Sequence, residues 1–284
     1  MIELDAATVL LQWATGGLFF LWVTGRHRLV GIGYGWTIRL SFIVIAGISL
    51  VVGLSFNTVW VREICTMGLI LAASFAMAAS IARRKAGVAG QRELVERRTA
   101  RVAAMTGINK DEQRFDRSIP EFEPNLDLIA PCIGLIGVIA GGIDAGDPVM
   151  LSVSRVVVGA FFLGAVTDAM LLGHWYLVQP GLTRDPIHEL VMWTGILWVP
   201  ELIVMLWPTG MVSVLNGTID DGYNGILGWF WVACVVTTIG LVFVTRAALR
   251  EKEYSAVMAA TGLLYLAILT GFGMDLVARV LLDT

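Results

Sequence analysis

Eight long stretches of almost uninterrupted apolar residues constrain this chain more than any other feature of its sequence. A helix rises 1.5 Å per residue, so about 20 apolar residues are needed to cross a hydrocarbon core of about 30 Å. Such stretches lie at residues 6–24, 36–56, 64–82, 127–144, 149–177, 187–207, 225–245 and 254–276. The sequence therefore predicts an all-α integral membrane protein, a bundle of about eight transmembrane helices.

The composition agrees with a membrane protein and excludes several other classes. Hydrophobic residues make up 57% and charged residues 15% of the 284 residues, whereas soluble domains have about 45–50% and 25%. The 20 Lys and Arg do not exceed the 23 Asp and Glu, so there is no basic surplus to neutralise the phosphates of a nucleic acid. Three widely spaced cysteines without a C-x-x-C motif predict neither a disulfide framework nor a zinc site.

The basic residues are distributed unevenly between the two sides of the predicted bundle. Nearly all of them fall in the loops and helix margins that follow the first, third, fifth and seventh spans. Cytoplasmic loops of membrane proteins carry the excess of Lys and Arg. The pattern therefore predicts a multi-pass protein of the inner or cytoplasmic (cell) membrane, with both termini outside (N-out/C-out).

One long loop, residues 83–126, separates the three spans of residues 1–82 from the five spans of residues 127–284. By the charge rule this loop is cytoplasmic. Its residues 91–106 combine an apolar stripe with arginines, which predicts a basic amphipathic helix on the anionic inner leaflet. Two further roles stay open, a solvated connector that sets the topology and a docking site for other membrane or cytoplasmic subunits. The expected partners are thus the lipid bilayer and such subunits, and not nucleic acid.

Charged side chains inside the predicted spans are candidates for function, because each costs about 2.5–3.5 kcal/mol at the membrane centre. Arg155 in the fifth span and Glu201 in the sixth lie at similar depth in the outer leaflet, since the two spans are antiparallel neighbours. We expect them to form an ion pair that is either a static pin or a gate for a substrate or proton. Asp275 and Arg279, four residues apart, are expected to form a surface pair.

The histidines fall at the cytoplasmic ends of predicted spans, and one of them, His174, lies beside aromatic residues. His174 is followed by Trp175 and Tyr176 at the end of the fifth span, His188 begins the sixth span, and Asp168 precedes His174 by six residues. Histidine binds metal and haem and titrates near neutral pH. These five residues are therefore candidates for binding quinone or haem, or else ordinary interfacial polar groups. Quinone fits better, because both histidines lie close to the surface. No separate metal site is predicted.

Three functions follow from these patterns. The histidines and aromatic residues favour a subunit associated with electron transfer, which binds quinone or haem near the cytoplasmic face. Asp168 and Glu201, two acids inside spans, favour a proton-coupled transporter or channel. Asp168 is expected to face Arg39. The third possibility is a structural or accessory subunit of a membrane complex without its own chemistry. The sequence contains no G-x-S-x-G or H-E-x-x-H motif, so no catalytic residue is assigned and enzymatic activity stays open.

Overall fold

The computed structural model describes residues 5–106, 115–116 and 118–283, and over these ranges it is all-helical. The helices are α1 (Ala6–Gly25), α2 (Ile32–Ser55), α3 (Trp60–Ala82), α4 (Ala89–Thr106), α5 (Ile129–Asp144), α6 (Val149–Val178), α7 (Asp185–Leu206), α8 (Gly210–Leu215), α9 (Ile226–Arg250) and α10 (Tyr254–Leu281). A 3-10 turn, Pro124–Leu128, leads directly into α5.

Within the described residues, eight helical segments are long and apolar enough to cross a membrane. They are α1, α2, α3, the 3-10 turn together with α5, and then α6, α7, α9 and α10. The number of predicted spans is therefore confirmed, and the chain has the architecture of a multi-pass membrane protein. Helices α3 and α10 extend beyond the predicted ends to include buried charged residues, Arg62 and Glu63 in α3 and Arg279 in α10. These side chains are paired and buried, which removes much of the cost of placing them inside the bundle.

Helices α1 and α6 form the centre of the bundle. Helix α1 packs against α2, α5 and α6, while α6 also contacts α7 and α10. A Cβ atom at Gly16 would overlap the carbonyl oxygen of Ala160, and one at Gly164 would overlap the backbone of Gly16. The backbones of α1 and α6 therefore touch without an intervening layer of side chains, as small residues allow in membrane helices.

The bundle has two ends, which contacts between the loops define. At one end, here called the basic end, Arg26 forms an ion pair with Glu189 and Arg184 donates hydrogen bonds to the carbonyl groups of Leu249 and Glu251. At the opposite end, Arg62 forms ion pairs with residues of α3 and of the N-terminal segment. The end of α1, the start of α7 and the end of α9 thus lie at the basic end, and the starts of α1 and α3 lie at the opposite end.

Helix α4 lies at the basic end, where it contacts two turns of the bundle. The backbone N–H of Gly90 donates to the carbonyl oxygen of Arg28 at 3.0 Å, and Arg98 donates to the carbonyl oxygen of Pro180. A helix was predicted over residues 91–106, and the observed helix begins two residues earlier. Part of the connection that follows, at residues 107–114 and 117, lies outside the described residues.

The start of α9 is held by a carboxylate in the preceding loop. Asp221 accepts hydrogen bonds from the backbone N–H groups of Tyr223, Gly225 and Leu227 at 2.8–2.9 Å. Partial desolvation raises the pKa of Asp221, but the backbone hydrogen bonds outweigh it and hold the pKa below its ordinary value. The ionised carboxylate of Asp221 therefore stabilises the first turn of α9.

Candidate functional site

A buried group of charged and polar side chains lies between four helices in the half of the bundle towards the opposite end. It is called here the arginine–carboxylate cluster and consists of Gln12, Arg155, Glu201, Asp275 and Arg279.

The space for this cluster depends on the absence of a side chain at Gly159 of α6. A Cβ atom there would lie 2.5 Å from Nε2 of Gln12 and 2.8 Å from both Nη2 of Arg279 and Oδ1 of Asp275. Side chains from α1 and α10 can therefore meet over the backbone of α6. A glycine within a helix costs about 1 kcal/mol relative to alanine, and here the missing side chain admits the polar groups.

Asp275 and Arg279 form a buried ion pair, not the surface pair that their spacing suggested. Nε of Arg279 lies 3.0 Å from each carboxylate oxygen of Asp275, and Nη2 lies 2.9 Å from Oδ1. Arg279 also donates to the carbonyl oxygen of Arg155 at 3.1 Å. The pair is buried because α10 continues to Leu281 and presents both residues to α6 across Gly159.

Arg155 caps the end of α7. Its Nε donates to the carbonyl oxygen of Val204 at 2.7 Å, and its Nη2 donates to that of Trp207 at 3.0 Å. The carbonyl group of Val204 has no helical donor, because Pro208, four residues later, lacks an N–H group. A cation at the C-terminus of a helix is also favoured by the helix dipole.

Glu201 is the least satisfied member of the cluster. Its side chain is fully buried, and neither carboxylate oxygen has a hydrogen-bond partner among the described residues. Asp275, Arg279 and Arg155 all lie within electrostatic range of it, and its carboxyl group is within hydrogen-bonding reach of that of Asp275, a contact that needs a proton on one of the two. Arg155 and Glu201 thus belong to the same cluster, but Arg155 bonds to backbone carbonyl groups and the expected direct ion pair with Glu201 is not formed.

Asp168 occupies a second buried position, in the other half of α6. It lies about 20 Å from Arg155 along the helix at 1.5 Å per residue. The side chain is fully buried, and both oxygens lack a hydrogen-bond partner within the described part of the chain. The expectation that it faces Arg39 is wrong. Arg39 donates two hydrogen bonds of 2.7 Å to Asp127, which the 3-10 turn before α5 brings to the arginine first.

The predicted quinone or haem residues do not form one site. His174 is exposed, and its Nδ1 lies 3.3 Å from the hydroxyl group of Tyr265. Tyr176 is buried and donates to the carbonyl oxygen of Thr183, while His188 is half-buried at the start of α7. Successive residues of a helix point in directions about 100° apart, which explains why His174, Trp175 and Tyr176 have separate surroundings.

Histidine-based metal binding receives no support from this arrangement. Among the residues with described positions, no group of three or more His, Cys, Asp or Glu side chains could hold a metal ion. The exposed imidazole of His174 is directed at a tyrosine and not at a second histidine. His174 and His188 are therefore not arranged as two axial ligands of one haem iron.

Trp175 does line a cavity, together with residues that the sequence did not single out. This cavity, called here the tryptophan groove, has a volume of about 530 Å³ at the basic end. Its polar and aromatic lining is Trp36, Arg84, Lys85, Gln91, Phe115, Trp175 and Gln179.

Two amide groups in the tryptophan groove have unused hydrogen-bonding atoms. Oε1 of Gln179 accepts from the N–H of Gly31 at 3.1 Å and from Nε1 of Trp175 at 3.0 Å, which leaves its Nε2 without a partner. Oε1 of Gln91 likewise has no partner within the described segments. The groove therefore combines an unused donor, an unused acceptor and an aromatic wall.

Two of these residues are recognisable in the sequence as polar groups in or beside an apolar span. Gln12 is a polar amide inside an otherwise apolar span, and Asp127 is an acid at the start of one. Gly159 is not recognisable in this way, because its role depends on which helices cross at that point.

Comparison with protein-family models, with curated proteins and with solved structures finds no match to this chain.

Proposed function

We propose that this chain is a proton-coupled transporter or channel, in which Asp168 and Glu201 bind and release protons at two depths of the membrane. One observation carries the proposal. Both carboxyl groups are fully buried within spans, and in the described structure none of their four oxygens accepts a hydrogen bond from an arginine or any other donor group. Glu201 can hydrogen-bond only to the carboxyl group of Asp275, when one of the two holds a proton.

The other buried carboxylates of the spans provide the contrast. Glu63, Asp127 and Asp275 are each hydrogen-bonded to an arginine at 2.6–3.0 Å. A buried carboxylate that is ionised and unpaired costs several kcal/mol, unless it binds a proton or a cation. Asp168 and Glu201 have no role as partners in a static ion pair, so proton binding is the chemistry that suits them.

Buried polar side chains of α1 provide further unpartnered groups inside the bundle. Gln12 of α1 belongs to the arginine–carboxylate cluster, and Thr15, one turn further towards the basic end, is also buried with an unpartnered hydroxyl group. Both amide atoms of Gln12 lack partners. Unpartnered groups of this kind can hydrogen-bond to water, which is how protons move between titratable side chains inside membrane proteins.

The backbone hydrogen bonding of α7 is interrupted beside Glu201. Pro200 lies inside α7, so the helix lacks one backbone hydrogen bond in the turn before the carboxyl group. Broken or bent helices mark the substrate and ion sites of many transporters. This supports a change in the surroundings of Glu201 during a transport cycle.

The charge distribution supports an orientation for this function. The basic end carries the arginine-rich helix α4, the loop residues Arg26 and Arg184, and Arg250 at the end of α9. Under the positive-inside rule, the proposal has the basic end in the cytoplasm and both termini outside a cell membrane. Glu201 would exchange protons with the outside and Asp168 with the cytoplasm.

The proposal is tested by proton flux in liposomes that contain the purified chain and an internal pH-sensitive dye. Asp168→Asn and Glu201→Gln each keep the shape of the side chain and remove the exchangeable proton. Each variant should lower the flux driven by a pH gradient at least tenfold. The matched control is Glu251→Gln, which changes an exposed carboxyl group at the basic end. Wild-type flux in both buried variants would refute the proposal.

A second candidate function rests on the tryptophan groove, and it is quinone binding by a subunit associated with electron transfer. The groove has an aromatic wall for a quinone ring and, at Nε2 of Gln179, an unused donor for its carbonyl oxygen. Trp175→Leu should remove quinone that copurifies with the chain, as measured by lipid extraction. His174→Ala, at the exposed neighbouring position, should retain it. Equal quinone content in both variants would contradict this candidate.

If neither proton flux nor bound quinone is found, an accessory subunit of a membrane complex is the remaining function. Its docking region would then be residues 83–126, including α4. Pull-down from solubilised membranes with and without an intact α4 would identify its membrane or cytoplasmic partners.

A further inference from the structure

A pocket at the basic end contains three arginines and is separate from the sites above. It lies between α4 and the turn that joins α6 to α7, and it is called here the arginine pocket. Its principal lining residues are Arg97, Arg98 and Arg101 of α4 and Gly181, Leu182 and Thr183 of the turn.

The arginines share one face of α4. Leu94, Arg97, Arg98 and Arg101 are spaced at i, i+3, i+4 and i+7, which places them on the same side of a helix. That side is directed at the turn, because Arg98 donates to the carbonyl oxygen of Pro180. The pocket therefore lies on the face along which α4 contacts the bundle.

The charge of the pocket is positive. Three arginines are opposed by a single acidic lining residue, Glu93, which pairs with Arg97. That ion pair is exposed, with 76% of the arginine side chain and 62% of the glutamate side chain accessible. Exposed pairs of this kind are weak, so Arg97 remains available to an incoming anion.

The size and depth of the pocket limit what it can bind. Its volume is about 230 Å³, below the roughly 300–1,000 Å³ of sites that enclose a whole small molecule. The turn at Gly181 joins two membrane-spanning helices, so it lies at the level of the lipid headgroups. Leu94 and Leu182 add apolar surface beside the arginines.

We propose that the arginine pocket binds a phosphate-bearing anion, supplied either by the headgroup of an anionic lipid or by a soluble phosphate compound. The guanidinium group binds phosphate through two parallel hydrogen bonds. Arg98 and Arg101 supply this chemistry at the wall formed by α4. Bound phosphate joins α4 to the turn between α6 and α7, the helices that carry Asp168 and Glu201.

The experiment uses the full-length chain in detergent and two probes, phosphatidylglycerol followed by native mass spectrometry and inorganic phosphate followed by calorimetry. The double variant Arg98→Gln/Arg101→Gln should bind the effective probe at least about tenfold more weakly, because it removes charge-assisted hydrogen bonds to the phosphate. Glu93→Gln removes the acidic lining charge and should bind about fivefold more tightly.

The matched control is Arg246→Gln/Arg250→Gln, which removes two exposed arginines at the same end of the bundle but outside the pocket. Loss of phosphatidylglycerol binding in the pocket variant alone supports a lipid headgroup. Loss of inorganic phosphate binding in that variant alone supports a soluble phosphate compound. Equal binding of both probes by the pocket variant and the control would overturn the proposal, as would unchanged binding by Glu93→Gln.

Discussion

Asp275→Asn should destabilise the protein much more than Glu201→Gln, although both change a buried carboxyl group of the same cluster. Asp275 makes three contacts of 2.9–3.0 Å with Arg279, whose side chain is only 4% exposed. Removing the carboxylate charge leaves a buried guanidinium group without its counter-ion. Breaking one partner of a buried pair costs about 3–5 kcal/mol. Asparagine can still accept one hydrogen bond, so we expect about 3 kcal/mol.

Glu201→Gln should cost less than about 1 kcal/mol, the ordinary scale for a substitution that breaks no specific interaction. Neither oxygen of Glu201 accepts from an arginine or another donor group, and the attraction of Arg155 and Arg279 is opposed by the repulsion of Asp275. The amide group of glutamine can donate to Asp275 in place of a shared proton. Glutamine has nearly the same shape and adds no charge. Replacement therefore removes little that stabilises the fold.

Reversible unfolding of the purified protein in mixed detergent micelles would measure both free energies, with the 10 tryptophans as the fluorescent signal. A difference of 3 kcal/mol corresponds to more than a hundredfold change in the unfolding equilibrium, which such titrations resolve. Comparable destabilisation by the two variants would show that Glu201 is a structural pin. The argument for a proton-binding role would then lose its basis.

Three further predictions concern stability. Gly159→Ala should cost about 1–3 kcal/mol by overpacking, because the added Cβ atom lies 2.5 Å from Nε2 of Gln12; an unchanged melting temperature would contradict the close approach. Asp127→Asn should be strongly destabilising, whereas the double variant Arg39→Met/Asp127→Leu should lie within about 1 kcal/mol of wild type, as a double-mutant cycle would show. The pKa of Asp221 lies below its ordinary value, so its stabilising effect is complete above about pH 4 and is lost as the pH falls through the folded-state pKa. The difference in melting temperature between wild type and Asp221→Asn should therefore shrink below about pH 4, and a constant difference would count against the capping role.

The spans were predictable from the sequence because hydrophobicity along a helix is a local property. A run of 20 apolar residues identifies a span without any knowledge of its neighbours. The depth of Arg155 and Glu201 was predictable for the same reason, since it depends only on helix length and direction. Their hydrogen-bond partners were not, because the carbonyl group of Val204 becomes an acceptor through the way that α7 ends.

Pairing between distant residues could not be read from depth alone. Arg39 was matched with Asp168 because both lie towards the same end of the bundle, but Asp127 reaches it from the turn before α5. Asp275 and Arg279 have the spacing of a surface pair, and only the crossing of α10 over Gly159 makes the pair internal. In each case the decisive information was the identity of the neighbouring helix.

The direct backbone contact between α1 and α6 makes these two helices a fixed pair within the bundle. With Gly16 seated on the backbone at Ala160 and Gly164, a shift of even one residue along either helix would drive a side chain into a carbonyl group. Sliding of α1 past α6 is thereby blocked. Helix α7 instead contacts α9 through the side chain of Trp198, which donates to the carbonyl oxygen of Val235, and it contains Pro200. If the bundle opens in the proposed function, we expect α7 to move and the α1–α6 pair to stay in place.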